Sequence, residues 1–194
     1  MGTGKTTDNK LDRIERMIKT IPGDLAEIGV AMGGTFYRLV PIAKRRGCEA
    51  HAFDSFMGMD TPGPKDDPSL YPKSKFNQGG PDGFAKMMDD YGIVREDYHL
   101  WAGYVPHCFD GAEKLRFAFV YLDLDVYAPS QAALAWLWPR LHEGGILMVD
   151  DYWEVGGPDG RVIDAINEWL PSMPDAFKIE CENNQLIIKK GFIR

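Results

Sequence analysis

Apolar residues follow two rhythms along this chain. Leu11, Ile14, Met17, Ile18 and Ile21 recur at helical spacing among Asp, Arg, Glu and Lys, which predicts an amphipathic helix stopped by Pro22-Gly23. Residues 25–30 (LAEIGV) then form an apolar run of strand length. A second helical pattern carries Phe36, Leu39, Val40, Ile42 and Ala43 on one side. It closes on Lys44-Arg45-Arg46 followed by Gly47, a cationic helix end and a glycine stop. Residues 50–54 (AHAFD) read as the next strand.

The same alternation continues with a helix near 84–91, strands at 98–102 and 117–122, a helix at 130–141, a strand at 145–149 and a helix at 162–170. Apolar runs at 177–181 and 186–190 flank a polar turn at 182–185 and predict a hairpin. Strands apolar on both faces, alternating with helices, indicate a mostly parallel sheet covered on each side. The expectation is an α/β fold with a seven-stranded sheet and a C-terminal antiparallel hairpin. Residues 57–83 break the rhythm with Pro, Gly, Asp and Lys, a long irregular loop of the kind that serves as a lid or binding loop.

At 194 residues one well-covered core is expected, so residues 1–194 read as a single domain. The net charge of −7 and the absence of a basic run argue against nucleic acid as a partner, and no apolar stretch approaches the length of a membrane span. The polar N-terminus lacks the pattern of a secretory signal, which makes the cytoplasm the expected location. Cys48, Cys108 and Cys181 are widely spaced without a paired motif and read as reduced filler. Residues 2–7 (GTGKTT) carry the letters that end a phosphate-binding loop, but no strand or first glycine precedes them, so a tail is expected there.

Candidate chemistry begins after the first strand, in Glu27-Ile-Gly29-Val30-Ala-Met-Gly33-Gly34-Thr35. Glycines at this turn permit the close backbone approach that a bound nucleoside or carboxylate needs. Asp54 ends the second strand where a carboxylate accepts hydrogen bonds from a ribose diol, with Ser55 beside it. Enzymes that use NAD place an acid there too. Their fingerprint wants a glycine at position 31, however, and the looser turn here suits S-adenosyl-L-methionine better. Gly103 and Tyr104, after the third strand, would border its adenine.

The more specific signal is a pair of acidic strand ends: Tyr121-Leu-Asp123-Leu-Asp125-Val-Tyr127 after one strand and Val149-Asp150-Asp151-Tyr152-Trp153 after the next. Four carboxylates converging on the ligand edge of a sheet would repel one another, and Mg²⁺ relieves that repulsion while leaving positions for substrate oxygens. Asp123, Asp150 and Asp151 are the expected ligands. Asp125 shares a face with Asp123 or else caps the following helix.

These segments resemble the macrocin-type O-methyltransferase family: residues 27–35, 54–58 (DSFMG), 122–130 and 149–152, within a span of roughly 24–170. The resemblance implies a class I methyltransferase fold, S-adenosyl-L-methionine as donor, sugar hydroxyls of natural products as acceptors, and Mg²⁺ held at Asp123, Asp150 and Asp151. Family members typically carry a longer N-terminal region that covers the active site and builds oligomers, so a homo-oligomer is an open possibility.

Methyl transfer requires an aligned acceptor oxygen with anionic character, which metal coordination and a base together provide. Asp123 is one candidate base and His107, in the loop after the third strand, is the other. Structural roles suffice for His51, His99 and His142, while Trp136 and Trp138 read as core and Trp153 as a cover for the metal. Competing readings are a phenolic, catechol-like or carboxylate acceptor, and a module that binds the cofactor without chemistry.

Overall fold

A computed structural model describes residues 3–152, 161–173, 175–182 and 184–191. The sequence pattern translates into α1 (Thr3–Met17), β1 (Asp24–Ile28), α2 (Phe36–Arg46), β2 (Ala50–Asp54) and α3 (Gly80–Asp90). These are followed by β3 (His99–Ala102), β4 (Phe117–Leu122), α4 (Tyr127–Leu137), β5 (Leu141–Val149), α5 (Arg161–Trp169), β6 (Ala176–Glu182) and β7 (Gln185–Lys190). The seven strands form one sheet in the order β3-β2-β1-β4-β5-β7-β6. β3, β2, β1, β4 and β5 run parallel, and β7 pairs antiparallel with both β5 and β6. The α/β architecture and the closing hairpin are as the alternation predicts.

Each face of the sheet is sealed by its own helices. Leu11, Ile14 and Ile18 of α1 pack with Phe36, Leu39 and Val40 of α2 and with Phe84 and Met88 of α3 on one side. On the other, Ala133, Leu134 and Leu137 of α4 meet Val162 and Ile166 of α5 over Ala26, Ile28, Val120 and Leu147. β4 is buried along its whole length, which explains its unbroken apolar run. Arg46 donates to the carbonyls of Ile18 and Ile21 at 2.7 and 2.8 Å, satisfying acceptors at the end of α1. No helix among the described residues is long and apolar enough to cross a membrane.

Several boundaries differ from the pattern. α1 begins at Thr3, so the expected tail is helical. α3 starts at Gly80, four residues early. α4 starts at Tyr127 because Pro129 falls in the first turn, where its missing N–H costs nothing, and it ends at Leu137 because Pro139 cannot continue it. β5 accordingly begins at Leu141.

The loop 57–79 is tied at its neck. Met57 and Asn77 form an antiparallel bridge, Met59 N–H donates to the Lys75 carbonyl at 2.9 Å and Ser74 N–H to the Met59 carbonyl at 2.8 Å. Asp66 pins the far side: its buried carboxylate accepts from Gly63 N–H and from Tyr127 N–H, both at 2.9 Å. It therefore caps α4 from a distant segment. Lys65 lies 3.6 Å from the Tyr127 ring centroid and pairs with Glu168 of α5 at 3.1 Å, and Glu168 also accepts from Tyr127 Oη. Asp66→Ala removes both bonds. Stability is expected to fall by about 1 kcal/mol, with faster amide exchange confined to 58–78; a uniform change across the sheet would contradict the docking role.

Candidate active site

The strand order reverses between β1 and β4, and a crevice forms beyond the carboxyl ends of such strands. A cavity of about 220 Å³ lies there, floored by Gly29, Ala31, Asp54, Gly103 and Asp123 and roofed by Met59, Pro62, Phe76 and Gln78 of the long loop. The roof is a contribution that composition alone indicated without naming its residues.

The glycine turn and the carboxylate strand are in direct contact. Gly29 has φ 81°, and a Cβ on it would stand 1.8 Å from the carbonyl oxygen of Asp123. No side chain fits between β1 and β4 at this point. Gly33 likewise abuts Met88 and Phe84, with 3.2 Å from a notional Cβ to either. Thr35 precedes α2 without a side-chain cap bond. Four non-glycine residues at this edge adopt positive φ: Ala31 (42°), Phe56 (56°), Asp125 (62°) and Asp151 (53°). Left-handed backbone at such residues is held against a conformational cost, and four of the described instances gather at this sheet edge.

Asp54 is engaged on both oxygens. Oδ2 accepts from the N–H groups of Val30 and Ala31 at 2.7 and 3.2 Å, and Oδ1 accepts from Phe56 N–H at 2.8 Å. One carboxylate thus holds the glycine turn and the start of the long loop together. Ser55 Oγ donates to the Gly58 carbonyl at 2.7 Å and accepts from Met57 N–H at 3.0 Å, shaping the loop neck. Gly103 and the 38% exposed Tyr104 line the opposite wall.

The acidic strand ends converge as their spacing predicts, in a modified arrangement. One oxygen from each of Asp123, Asp125 and Asp151 lies within 4.8 Å of the others. Asp150 turns its Oδ2 to Tyr121, whose hydroxyl donates to it at 2.6 Å. The geometry therefore puts Asp125, on the face it shares with Asp123, into the group where Asp150 was expected, and gives Asp150 a protein partner. Tyr127 N–H, at the start of α4, is taken by Asp66.

Charge crowding at this cluster is severe. Burial first, then Asp150, Asp125, Asp151 and Asp54, push the Asp123 carboxyl well above the usual range. Glu27, on β1 opposite Tyr121, is 2% exposed, and its Oε2 has no hydrogen-bond partner among the described residues. Burial, followed by Asp123, Asp54 and Asp150, holds it well above its ordinary value as well. A carboxyl raised in the folded state binds more protons folded than unfolded. Its contribution to stability is present at low pH and lost as pH rises from the ordinary Glu range toward the folded value. Glu27→Gln is isosteric with the protonated form, so the loss of Tm between pH 5 and 8 is expected to shrink, by about 2–4 °C for each kcal/mol recovered. A steeper loss would contradict a raised Glu27 carboxyl.

Other residues named from sequence stand outside the cleft. His107 is exposed in a short 3₁₀ turn and does not line the cavity. His51 is buried, accepts from Trp101 Nε1 at 3.1 Å and faces Asp24, and His99 pairs with Glu49. Trp136 stacks on Phe109 at 4.1 Å, which is core packing. Trp153 lies outside the described residues. The three cysteines are free, and burial pushes the Cys108 thiol up to about 12, an unreactive value.

Gln78 went unrecognised in the sequence. It is 9% exposed and lines the cleft roof, and neither its side-chain nitrogen nor its oxygen has a partner among the described residues. Burying an amide unpaired costs about 1–3 kcal/mol. A polar residue in a Gly-rich stretch gives no sequence signal for such a role.

Comparison with known proteins places this geometry among methyltransferases. The chain is 27% identical over 157 residues to 8-demethyl-8-(2,3-dimethoxy-alpha-L-rhamnosyl)-tetracenomycin-C 4'-O-methyltransferase of Streptomyces olivaceus; the match takes in 74% of this chain and 60% of that protein's length. Its fold is similar to the O-methyltransferase NovP, with TM-score 0.79 and 20% identity over 94% of this chain and 80% of that one. It is also similar to the calicheamicin methyltransferase CalS11, with TM-score 0.77 and 21% identity over 98% and 81%. The family model for macrocin-O-methyltransferase (TylF) matches residues 3–168, which makes this chain a member of the macrocin-O-methyltransferase family.

Proposed function

We propose that this chain transfers the methyl group of S-adenosyl-L-methionine to a hydroxyl of a glycosylated small molecule, with Mg²⁺ at the carboxylate cluster. The observation that carries the reading is the position of Asp123. It lies on the floor of the nucleoside-type cleft and is also a member of the three-carboxylate group, so donor and acceptor chemistry meet at one residue. Family membership supports the methyl donor, and the tetracenomycin relative, whose name specifies a rhamnosyl-bearing substrate, supports a sugar acceptor.

The protein's own groups divide the work. The turn at Gly29, Val30, Gly33 and Thr35, held by Asp54, receives the amino-acid and ribose parts of the donor, with Ser55 shaping the wall. Gly103 and Tyr104 border the base, and Glu27 lies beneath the turn with its carboxyl held well above its ordinary value. Gln78 supplies one donor and one acceptor from the roof. Asp123, Asp125 and Asp151 would hold the cation, with Asp150 beside them. The fit rests on hard oxygen donors within 4.8 Å of one another and on the like charges that crowd Asp123. When bound, Mg²⁺ supplies Lewis acidity and a template for vicinal oxygens. Asp123 accepts the proton of the acceptor hydroxyl, and the loop roof excludes water from the transfer.

A radiolabelled-donor assay on rhamnosylated polyketides, run with Mg²⁺ and with excess chelator, tests this directly. Label is expected on the sugar with Mg²⁺ present only. Labelling of phenols in place of sugars would overturn the acceptor class. Gln78→Leu is expected to raise Tm by removing the unpaired amide while weakening S-adenosylhomocysteine binding several-fold; unchanged binding would exclude Gln78 from the donor site.

A further inference from the structure

A buried polar chain links the N-terminal helix to the carboxylate cluster. Lys10 Nζ on α1 donates to Gln185 Oε1 on β7 at 3.1 Å. Gln185 Nε2 donates to Tyr121 Oη on β4 at 3.0 Å, and Tyr121 donates to Asp150 Oδ2 at 2.6 Å. All three residues are nearly sealed from solvent, with exposures of 5% for Lys10, 7% for Gln185 and 1% for Tyr121. Every bond points the same way. An ammonium has only donors to give, which turns the Gln185 amide so that its NH₂ faces Tyr121. With its oxygen accepting from Gln185, Tyr121 has its single proton left for Asp150.

We propose that Tyr121, oriented by Gln185 and Lys10, is a positioning residue that fixes the Asp150 carboxylate beside the cation group and makes the N-terminal helix part of the active site. The proposal rests on the metal-assisted reading above. Four separate elements supply the four members, so the chain does not serve the local stability of any one of them. Tyr121 is also the only polar side chain in β4, a strand otherwise made of Phe, Ala, Val and Leu, and its ring packs in the core while its hydroxyl reaches the strand end. A phenylalanine would satisfy the packing alone. Bonds polarised in series from a cation strengthen one another, so the Lys10 charge is felt at Asp150 through two intermediates.

Tyr121→Phe keeps the ring and removes the link. In calorimetry with S-adenosylhomocysteine present, Mg²⁺ affinity is expected to fall about tenfold, the lower end of the effect of disturbing groups that surround a metal's ligands, with S-adenosylhomocysteine affinity within about twofold. A crystal structure of the variant is expected to show the Asp150 carboxylate turned from its present orientation. Lys10→Met, at the far end of the chain, should give a smaller fall in Mg²⁺ affinity and Lys10→Arg should restore it; this pair carries the test if Tyr121→Phe does not fold. Unchanged Mg²⁺ affinity with an unmoved Asp150 overturns the proposal. If the unaltered protein itself binds no Mg²⁺, the metal reading fails, and the orientation of Asp150 in crystals of Tyr121→Phe or Lys10→Met decides the positioning role by itself.

Discussion

Asp123→Asn is expected to abolish Mg²⁺ binding and to lower methyl transfer by about a hundredfold or more, while making the metal-free protein more stable. The first two effects follow from the position of Asp123 at the meeting point of the cleft and the three-carboxylate group. Losing Lewis-acid stabilisation of a developing alkoxide is worth several kcal/mol, and each 1.4 kcal/mol is a factor of about ten. The third effect has the opposite sign and separates a metal site from a structural one. Asp123 is half-buried among Asp150, Asp125, Asp151 and Asp54, all of which raise its carboxyl, so its ionised form works against the fold as pH rises. An amide of the same shape removes that opposition. Thermal unfolding in chelator checks the point: a higher Tm for Asp123→Asn supports a site built for a cation, and a sharply lower one would mean that Asp123 is held by protein partners instead.

The second large effect is expected at Asp54. Its carboxylate accepts from three backbone N–H groups, those of Val30, Ala31 and Phe56. Asp54→Ala leaves the turn and the loop neck without their common acceptor, and a charge-assisted bond lost in such a place costs about 1.5–3 kcal/mol. The dissociation constant for S-adenosylhomocysteine should rise by roughly 10- to 150-fold on that basis. Asp54→Asn is a sharper probe, because an amide can present only one acceptor oxygen and would set its NH₂ against backbone N–H groups on the other side. It should therefore behave like the alanine variant. Binding retained by Asp54→Asn would show that the backbone contacts do not set the shape of the donor site.

Asp54 also shows how far a sequence can be read. Its position at the end of β2 was legible from the apolar run before it, and so was its place in a cofactor cleft. That its oxygens are engaged by the glycine turn was not, because those N–H groups come from residues 24 and 23 positions away and are brought near only by the parallel pairing of β1 with β2. The sheet, its hairpin and the acidic strand ends follow from local periodicity, which survives in one dimension. Asp66 capping α4 across 61 residues and Lys10 reaching Gln185 across 175 are products of tertiary docking and leave no local pattern. The division within the cluster is of the same kind. Asp150 and Asp151 are adjacent letters, yet Tyr121 takes an oxygen of one, and the positive φ of the other carries its carboxylate to Asp123 and Asp125.

The central claim is that the ends of β4 and β5 form a cation site serving the cleft beside them. A calorimetric titration of Mg²⁺ into the protein saturated with S-adenosylhomocysteine tests it most directly. One cation per chain is expected, with the heat lost in Asp123→Asn and retained in His107→Ala. Absence of Mg²⁺ binding at tens of millimolar, or binding that survives Asp123→Asn, would contradict it.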